Sequence, residues 1–223
     1  MARNKYPEET IRLILDAAAA LFMEKGYEKT SLQDIINATK LSKGAIYHHF
    51  ASKEEIFVRI CERIGSENEK ELGAIRDNPH LSGKEKLQEI FRVSLLHDNQ
   101  ERILRIVPCL VDNPKFLAME IRNLYMEVVP DYIQPILEEG IADGSIHTEH
   151  PKELAEALIM LTDIWLNPLL QPTTPEEVKA RCAVLNQITK GFGVELLDDV
   201  LTDALVGYTR LLFEKHVSQN TGE

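Results

Sequence analysis

The stretch from residue 30 to residue 56 constrains the fold of this chain more than any other, because helix-start signals recur in it at short intervals. Ser31 is followed three positions later by an aspartate, which makes an acidic version of the capping box that begins a helix. Ser42 is a suitable N-cap for a second, short helix that ends at Phe50. Ser52, followed three positions later by a glutamate, begins a third helix in the same way. The stretch therefore predicts three helices separated by two tight turns.

The short second helix is unusual for an element with only a structural role. Ile46 lies on the face that can enter a core. The opposite side carries a cation, a glycine, a phenol and an imidazole, from Lys43, Gly44, Tyr47 and His48. Such side chains, on a helix whose neighbouring residues are small, suit a DNA major groove, because the helix can approach the DNA closely and the side chains can reach base edges. A surface helix with an exposed aromatic ring fits these residues equally well, so on their own they leave the choice open.

The segment KGAIYHHFASKEEIF, which contains this helix, resembles the DNA-binding signature of the TetR (tetracycline-repressor-like) family of bacterial transcription regulators. The preceding segment ILDAAAALFMEKGYEKTSLQDII is similar to the family's first helix, its Gly-Tyr or Gly-Phe turn and the cap of its second helix. The resemblance covers about residues 8–60, and four elements agree in order and spacing. The chain departs from the family pattern at Lys40, where glycine is common, and at Ala45, where many members have threonine.

The resemblance implies a homodimeric, ligand-responsive transcription regulator, usually a repressor of a transporter or enzyme gene, that binds a palindromic operator in double-stranded DNA. Lys43 and Tyr47 are expected to reach base edges, while four other side chains and the amide groups at helix starts hold phosphates. Those four are Thr30, His48, His49 and Lys53. The complete predicted DNA-binding set is Thr30, Ser31, Gln33, Lys40, Ser42, Lys43, Gly44, Ala45, Tyr47, His48, His49 and Lys53.

The rest of the chain predicts an all-α fold, because helical periodicity recurs and alternating β-branched segments are scarce. Its 223 residues suffice for a substantial core. We predict a helix-turn-helix DNA-binding domain over residues 1–53 and a helical effector-binding and dimerisation domain over residues 54–223. A shared helix, and no flexible linker, is expected to join them.

The net charge of −11 is unevenly distributed. Residues 1–53 carry eight Lys or Arg and six Asp or Glu, whereas the remainder carries 17 and 30. This asymmetry fits a DNA-reading module on an acidic body.

Three features indicate a cytoplasmic protein that needs no cofactor or metal. The three cysteines are far apart and lack a C-x-x-C pattern, which is typical of a reducing compartment and offers no cysteine-based metal site. No apolar run reaches the roughly 18–20 residues of a membrane helix, and nothing resembles a signal peptide. No nucleophile–base, phosphate-loop or zinc-protease motif occurs, so an enzyme is not expected.

Caps and periodicity predict further helices in the body, over residues 84–97, 101–111, 153–165, 176–190 and 196–216. Another long helix is predicted to begin at Pro114. Pro130 and Pro135 lie inside its pattern and are expected to kink or break it.

Two late helices are apolar on more than one side, which indicates either deep burial or a partner. The TetR resemblance favours a partner, because members of the family dimerise by pairing two such helices from each chain. The predicted dimer interface consists of Leu154, Leu158, Leu161, Leu201, Leu205, Tyr208 and Leu212.

The resemblance also implies an effector pocket inside the body, for a small and largely apolar or aromatic molecule. The predicted pocket residues are Phe91, Leu95, Met119, Tyr125, Met160, Asp163 and Trp165, although most of these could equally form an ordinary core. If Asp163 points inward, a lipophilic cation is favoured, because an unpaired buried carboxylate is costly; otherwise this carboxylate is exposed or caps a neighbouring helix. The alternative to a small effector is a body that docks a protein partner.

Overall fold

The computed structural model describes residues 7–96, 114–168, 170 and 173–220 of the chain. Every regular element among these residues is a helix, which confirms the all-α fold class. The described residues divide into two compact units, one up to Lys70 and one from Glu71 onward. The predicted domain boundary after residue 53 rests on function and stays a prediction. None of the described helices is long and apolar enough to cross a bilayer.

The first unit contains four helices in the predicted order, and the second, third and fourth begin directly after the predicted caps Ser31, Ser42 and Ser52. They are α1 (Pro7–Lys25), α2 (Leu32–Thr39), α3 (Lys43–His49) and α4 (Lys53–Arg76), the last of which continues into the second unit. The Ser31 hydroxyl accepts a 3.1 Å hydrogen bond from the Asp34 amide, and the Asp34 carboxylate accepts one of 2.8 Å from the Ser31 amide. This reciprocal capping box starts α2 where the sequence predicts it.

Three aromatic rings join α1, the turn after it and α4. The centroid of the Phe22 ring lies 5.2 Å from that of Tyr27 and 5.6 Å from that of Phe57, and the centroids of Tyr27 and Phe57 are 4.9 Å apart. All three pairs have the tilted or edge-on geometries that aromatic rings favour. Ile35 of α2 and Ile46 of α3 have no exposed surface. All four helices therefore contribute to one small core, and this core determines which face of α3 is left outside.

The second unit is built from helices that include two π-helical segments. They are α5 (Gly83–Leu96), α6 (Pro114–Asn123), π1 (Leu124–Ile133), α7 (Gln134–Asp143), α8 (Pro151–Ile159), π2 (Met160–Trp165), α9 (Pro175–Lys190) and α10 (Asp199–Asn220). Buried side chains from α5, π1, α7, α8, α9 and α10 belong to one core. The helix predicted over residues 101–111 lies outside the described residues.

The helix that begins at Pro114 does not break at Pro130. The chain passes through Pro130 as the π-helical segment π1 and continues to Asp143 in α7. Proline lacks an amide hydrogen and its ring crowds the preceding turn, and the wider π-helical turn relieves this crowding. Pro135 lies in the first turn of α7, where its missing amide costs little. The helix is therefore not broken at Pro130, and its change to π-helical geometry is a local distortion of the kind that the prolines were expected to cause.

The last helix begins later than the predicted residue 196, because a side chain holds the preceding segment in place. The side-chain oxygen of Asn186 accepts a 2.9 Å hydrogen bond from the Leu197 amide, and its nitrogen donates one of 2.6 Å to the Leu197 carbonyl. The Asp198 carboxylate then accepts a 2.9 Å hydrogen bond from the Leu201 amide and so caps α10.

Helices α5 and α7 approach each other closely at Gly83 and Gly140. A Cβ atom on Gly83 would lie 2.3 Å from the Gly140 Cα, so any side chain there would force the two helices apart. The ammonium group of Lys86, which is 3% exposed, donates a 2.6 Å hydrogen bond to the Glu139 carboxylate. A buried ammonium group requires such a partner, and the pair sets the register of α5 on α7.

Candidate nucleic-acid interface

Helix α3 is held in place by its N-cap and by two buried side chains. The Ser42 hydroxyl accepts a 3.1 Å hydrogen bond from the amide of Ala45. Ile46 is completely buried, and Phe50, which follows the last residue of the helix, is 5% exposed. These anchors leave the opposite face of α3 open to a partner.

The exposed face of α3 carries the side chains that the sequence predicts to read bases. The Lys43 ammonium group lies 5.5 Å from the centroid of the Tyr47 ring, and Tyr47 is 48% exposed. This cation–π pair, one helical turn apart, directs both groups to the same side. A Cβ atom on Gly44 would meet no atom within 4 Å. Glycine therefore leaves open space on the helix surface beside Lys43 and Tyr47. Farther along, the rings of His48 and His49 lie 5.0 Å apart in edge-on geometry.

The turn between α2 and α3 contains a strained residue. Lys40 has φ 56° and ψ 19°, and among the described residues it is the one non-glycine with positive φ. A side chain in this left-handed conformation costs free energy that glycine avoids. Lys40 stands where the TetR pattern commonly has glycine. It adopts the turn conformation at a cost in folding stability, and it adds an exposed cation beside α3.

On α2, the predicted contact residues already form bonds within the helix. The Ser31 hydroxyl donates a 2.6 Å hydrogen bond to the Asp34 carboxylate, and the Gln33 amide donates one of 3.0 Å to the side chain of Asn37. Hydrogen bonds from Ser31 and the ammonium group of Lys25 lower the pKa of Asp34 to about 2. The Ser31 hydroxyl thus serves the start of the helix, while Gln33 is exposed at its surface.

Two side chains predicted to hold phosphates are used inside the unit. Thr30 is 1% exposed, and its hydroxyl donates a 2.8 Å hydrogen bond to the Gly26 carbonyl at the end of α1. The Thr30 hydroxyl is therefore assigned to the end of α1 and not to a phosphate, because a buried hydroxyl that already forms a hydrogen bond is not presented to DNA. The Lys53 ammonium group donates a 2.7 Å hydrogen bond to the Tyr27 carbonyl, which occupies one of its three donors.

The predicted effector residues are spread through the second unit. Phe91 belongs to the core and is 6% exposed, whereas Met119 and Tyr125 are 38% and 39% exposed. Leu95, Met160 and Trp165 are partly exposed. None of these side chains lines the groove of about 670 Å³ that is formed by the end of α4, α5 and the segment before α10.

Asp163 is exposed at the surface of π2, although many protein atoms lie around its carboxylate. Burial raises the pKa of Asp163 to about 6, and a 2.9 Å hydrogen bond from the Thr162 hydroxyl partly offsets this. Burial also raises the pKa of Glu120, and the nearby charge of Asp163 adds to that rise. Both residues are exposed at the surface, and among the described residues neither carboxylate has a cationic partner.

Three of the predicted dimer-interface side chains are already covered by their own chain. Leu158, Leu201 and Leu205 are 0%, 1% and 4% exposed, so almost none of their surface is left for a second copy. The other four residues are partly exposed, and they are Leu154, Leu161, Tyr208 and Leu212.

Large apolar side chains that were not assigned from the sequence are exposed on α9 and α10. Val184 and Ile188 of α9 are 43% and 46% exposed, and Val200 and Leu211 of α10 are 58% and 56% exposed. Between the latter two, a Cβ atom on Gly207 would meet nothing within 4 Å. Exposed apolar side chains at helical spacing indicate a contact surface. The sequence indicates two apolar faces on α10, but the packing of other helices of the same chain decides which face is covered.

Comparison with known proteins places the first unit in a defined family. The model described as "Bacterial regulatory proteins, tetR family" matches residues 14–60. The A-factor receptor protein of Streptomyces griseus is 44% identical over 62 residues, which are 28% of this chain and only 22% of that protein. The HTH-type transcriptional repressor KstR2 of Rhodococcus jostii is 31% identical over 154 residues, which are 64% of this chain and 70% of the repressor.

Solved structures extend the similarity in fold to most of the chain. SmeT, the repressor of the Stenotrophomonas maltophilia multidrug efflux pump SmeDEF, superposes with a TM-score of 0.65. The alignment covers 88% of this chain and 95% of SmeT at 20% sequence identity. At this identity the likeness concerns the fold alone.

Proposed function

Because the chain belongs to the TetR family of bacterial regulatory proteins, we propose that it is a homodimeric, DNA-binding repressor of transcription. In this proposal it binds a palindromic operator and is released by a small ligand. Its target is a transporter or enzyme gene.

The observation that carries the proposal is the exposed face of α3. Lys43 and Tyr47 stack with 5.5 Å between the ammonium group and the ring centroid, beside the open surface of Gly44. The rest of the helix is fixed by the Ser42 cap and by the buried Ile46. A cation and a phenol in these positions suit the base edges of a major groove. Gly44 has no side chain between them, so the helix backbone can approach the DNA closely.

Phosphate contacts would orient α3 on the duplex without reading sequence. The exposed Lys40, the exposed His48 and the partly exposed His49 flank the reading face along the chain. Together with amide groups at the starts of α2 and α4, they supply positive or hydrogen-bonding groups for the DNA backbone. Lys53 adds its remaining donors at the first residue of α4.

Dimerisation is proposed to use the exposed apolar residues of α9 and α10. Val184 and Ile188 are one turn apart on α9, and Val200 and Leu211 lie on one side of α10. A second copy that pairs the same two helices would cover all four side chains in an isologous interface. Two reading helices related by a two-fold axis would then fit half-sites about 34–36 Å apart, or a multiple of this spacing.

The proposal is tested by selecting duplexes from a randomised DNA pool with the full chain and footprinting the enriched sequences. A regulator of this kind enriches a palindrome with two protected half-sites, and Tyr47→Ala, which removes only an exposed side chain, enriches nothing specific. Enrichment of no sequence by the wild type, or of the same sequence by Tyr47→Ala, would contradict the proposal.

A further inference from the structure

A groove of about 670 Å³ lies in the second unit, between the end of α4, one side of α5 and the segment that leads into α10. Its volume falls within the roughly 300–1,000 Å³ of sites for small organic ligands.

The lining combines an apolar surface with an excess of negative charge. Its apolar members are Ala74, Ile75, Leu81, Val93, Leu196 and Leu201, and its carboxylates are Glu71, Glu85, Glu89, Glu195 and Asp198. Among the described lining residues Arg92 is the one cation, and it pairs with Asp198 at 2.5 Å and Glu89 at 3.6 Å. Outside the lining, Lys190 pairs with Glu195 at 3.0 Å. Without counting Glu71, the described lining has four carboxylates, and Arg92 and Lys190 are the two cations paired with them, so this part of the groove carries a net negative charge.

We propose that this groove is the effector site of the chain and that it binds a lipophilic organic cation. This inference rests on the proposed function as a ligand-released regulator. The apolar lining removes hydrocarbon surface from water, while the surrounding carboxylates attract positive charge and repel anions. A bare metal ion fits less well, because hard cations require oxygen ligands that converge on one point. Here the carboxylates are distributed around an apolar surface.

The groove also has a route to the rest of the molecule through α4. That helix contributes Glu71, Ala74 and Ile75 to the lining, and it begins at Lys53 in the first unit. A ligand that packs against the last turns of α4 therefore acts on an element that both units share. If this contact differs between two positions of the helix, ligand binding and DNA binding are coupled, and each weakens the other by the same factor.

Two xanthene dyes of opposite charge test the ligand class on the full chain. Rhodamine 6G is a lipophilic cation, and fluorescein is an anion with the same fused ring system. Fluorescence anisotropy is expected to show saturable binding of rhodamine 6G and none of fluorescein over the same concentrations. Rhodamine 6G, and not fluorescein, is expected to release the chain from its selected DNA.

Two variants with matched controls test the location of the site. Ala74→Trp fills the groove from an exposed position on α4 and should weaken rhodamine 6G binding at least about tenfold, because the indole occupies ligand volume. Its control is Ala142→Trp, at an exposed position of α7 outside the groove. Glu89→Gln removes one carboxylate with little change of shape and should weaken binding about two- to fivefold, whereas Glu149→Gln, in an exposed loop, should have no effect.

Each result either supports or overturns the proposal. Unchanged rhodamine 6G affinity in Ala74→Trp, equal binding of fluorescein, or no binding of rhodamine 6G to the wild type overturns it. The proposed function fails separately, since it depends on selective DNA binding that requires Tyr47. Ala74→Trp that loses rhodamine 6G binding but still binds the selected DNA supports the groove as a ligand site apart from the DNA-reading face.

Discussion

The ammonium group of Lys53 lies 4.1 Å from the centroid of the Tyr27 ring and donates a 2.7 Å hydrogen bond to the carbonyl of the same residue. Lys53 begins α4, and Tyr27 lies in the turn after α1. Burial raises the pKa of Tyr27 to about 12, with smaller contributions from the charges of Glu54 and Glu28. The ring thus stays a neutral phenol at physiological pH, and the pair ties the start of α4 to the preceding turn.

Lys53→Met is expected to lower the stability of the chain by about 1 kcal/mol, since it keeps the aliphatic stem but loses the cation–π contact and the charged hydrogen bond. Thermal denaturation followed by circular dichroism measures the effect. Lys29→Met, at an exposed position of the same turn, is the control.

The same variant separates the structural role of Lys53 from its predicted phosphate contact. If Lys53 also binds phosphate, the slope of log affinity against log salt falls by about one unit per subunit. An unchanged melting temperature would show that the contact with Tyr27 contributes nothing, and an unchanged slope would remove Lys53 from the DNA interface.

Lys43→Ala and Tyr47→Ala should each weaken specific DNA binding by about 1–3 kcal/mol, because each removes a side chain that is proposed to contact base edges. Both residues are exposed, so the helical circular dichroism signal should not change. Fluorescence anisotropy with a labelled operator gives the affinities, and His80→Ala, exposed in the second unit, serves as the control. Normal operator affinity in either variant would exclude that side chain from the groove.

Lys40→Gly should stabilise the first unit by up to about 1 kcal/mol, because glycine adopts the observed φ of 56° without a Cβ clash. The larger backbone entropy of glycine in the unfolded chain offsets part of this gain. Lys40→Ala is the matched control, since it removes the same cation but keeps the strain. Equal stability of Lys40→Gly and Lys40→Ala would mean that the turn is not strained. If both variants lose the same DNA affinity relative to the wild type, the Lys40 cation is assigned to a phosphate contact.

Charge placed on the exposed faces of α9 and α10 should separate the dimer without unfolding the chain. Val184→Glu and Leu211→Glu each alter an exposed apolar position, so light scattering should show folded monomers. Leu205→Glu, on the buried side of α10, should instead lose the folded state. A stable dimer of Leu211→Glu would move the interface to another surface.

Asp163 gives the second unit a pH dependence with a definite sign. Its folded-state pKa of about 6 lies above the ordinary value of 3.8, so the folded chain holds this proton more tightly than the unfolded chain does. The resulting stabilisation is complete below the ordinary pKa and is lost as the pH rises through about 6.

Asp163→Asn removes this titration, so the melting temperature of the variant should rise relative to that of the wild type between about pH 4 and pH 7. Asp203→Asn, at an exposed position of α10, controls for the loss of one negative charge. A difference between wild type and Asp163→Asn that does not vary with pH would show that Asp163 is fully hydrated in the folded chain.

The order of the helices in the first unit, and which face of α3 is exposed, followed from the sequence. Ser31 and Ser42 cap helices by accepting hydrogen bonds from amides three residues away, and Ile46 and Tyr47 lie on different sides of one short helix, one buried and the other exposed. Such interactions are decided within a single turn, so residue types and spacing are enough to predict them.

Only the tertiary structure decided which apolar or polar groups are already used inside the fold. Leu205 and Leu211 are both leucines on α10, yet one is 4% and the other 56% exposed. The Thr30 hydroxyl is buried against α1, and Lys53 is bound to Tyr27, which is distant in the chain. Burial and long-range hydrogen bonds depend on which helices pack together, and the period of a single helix does not contain that information.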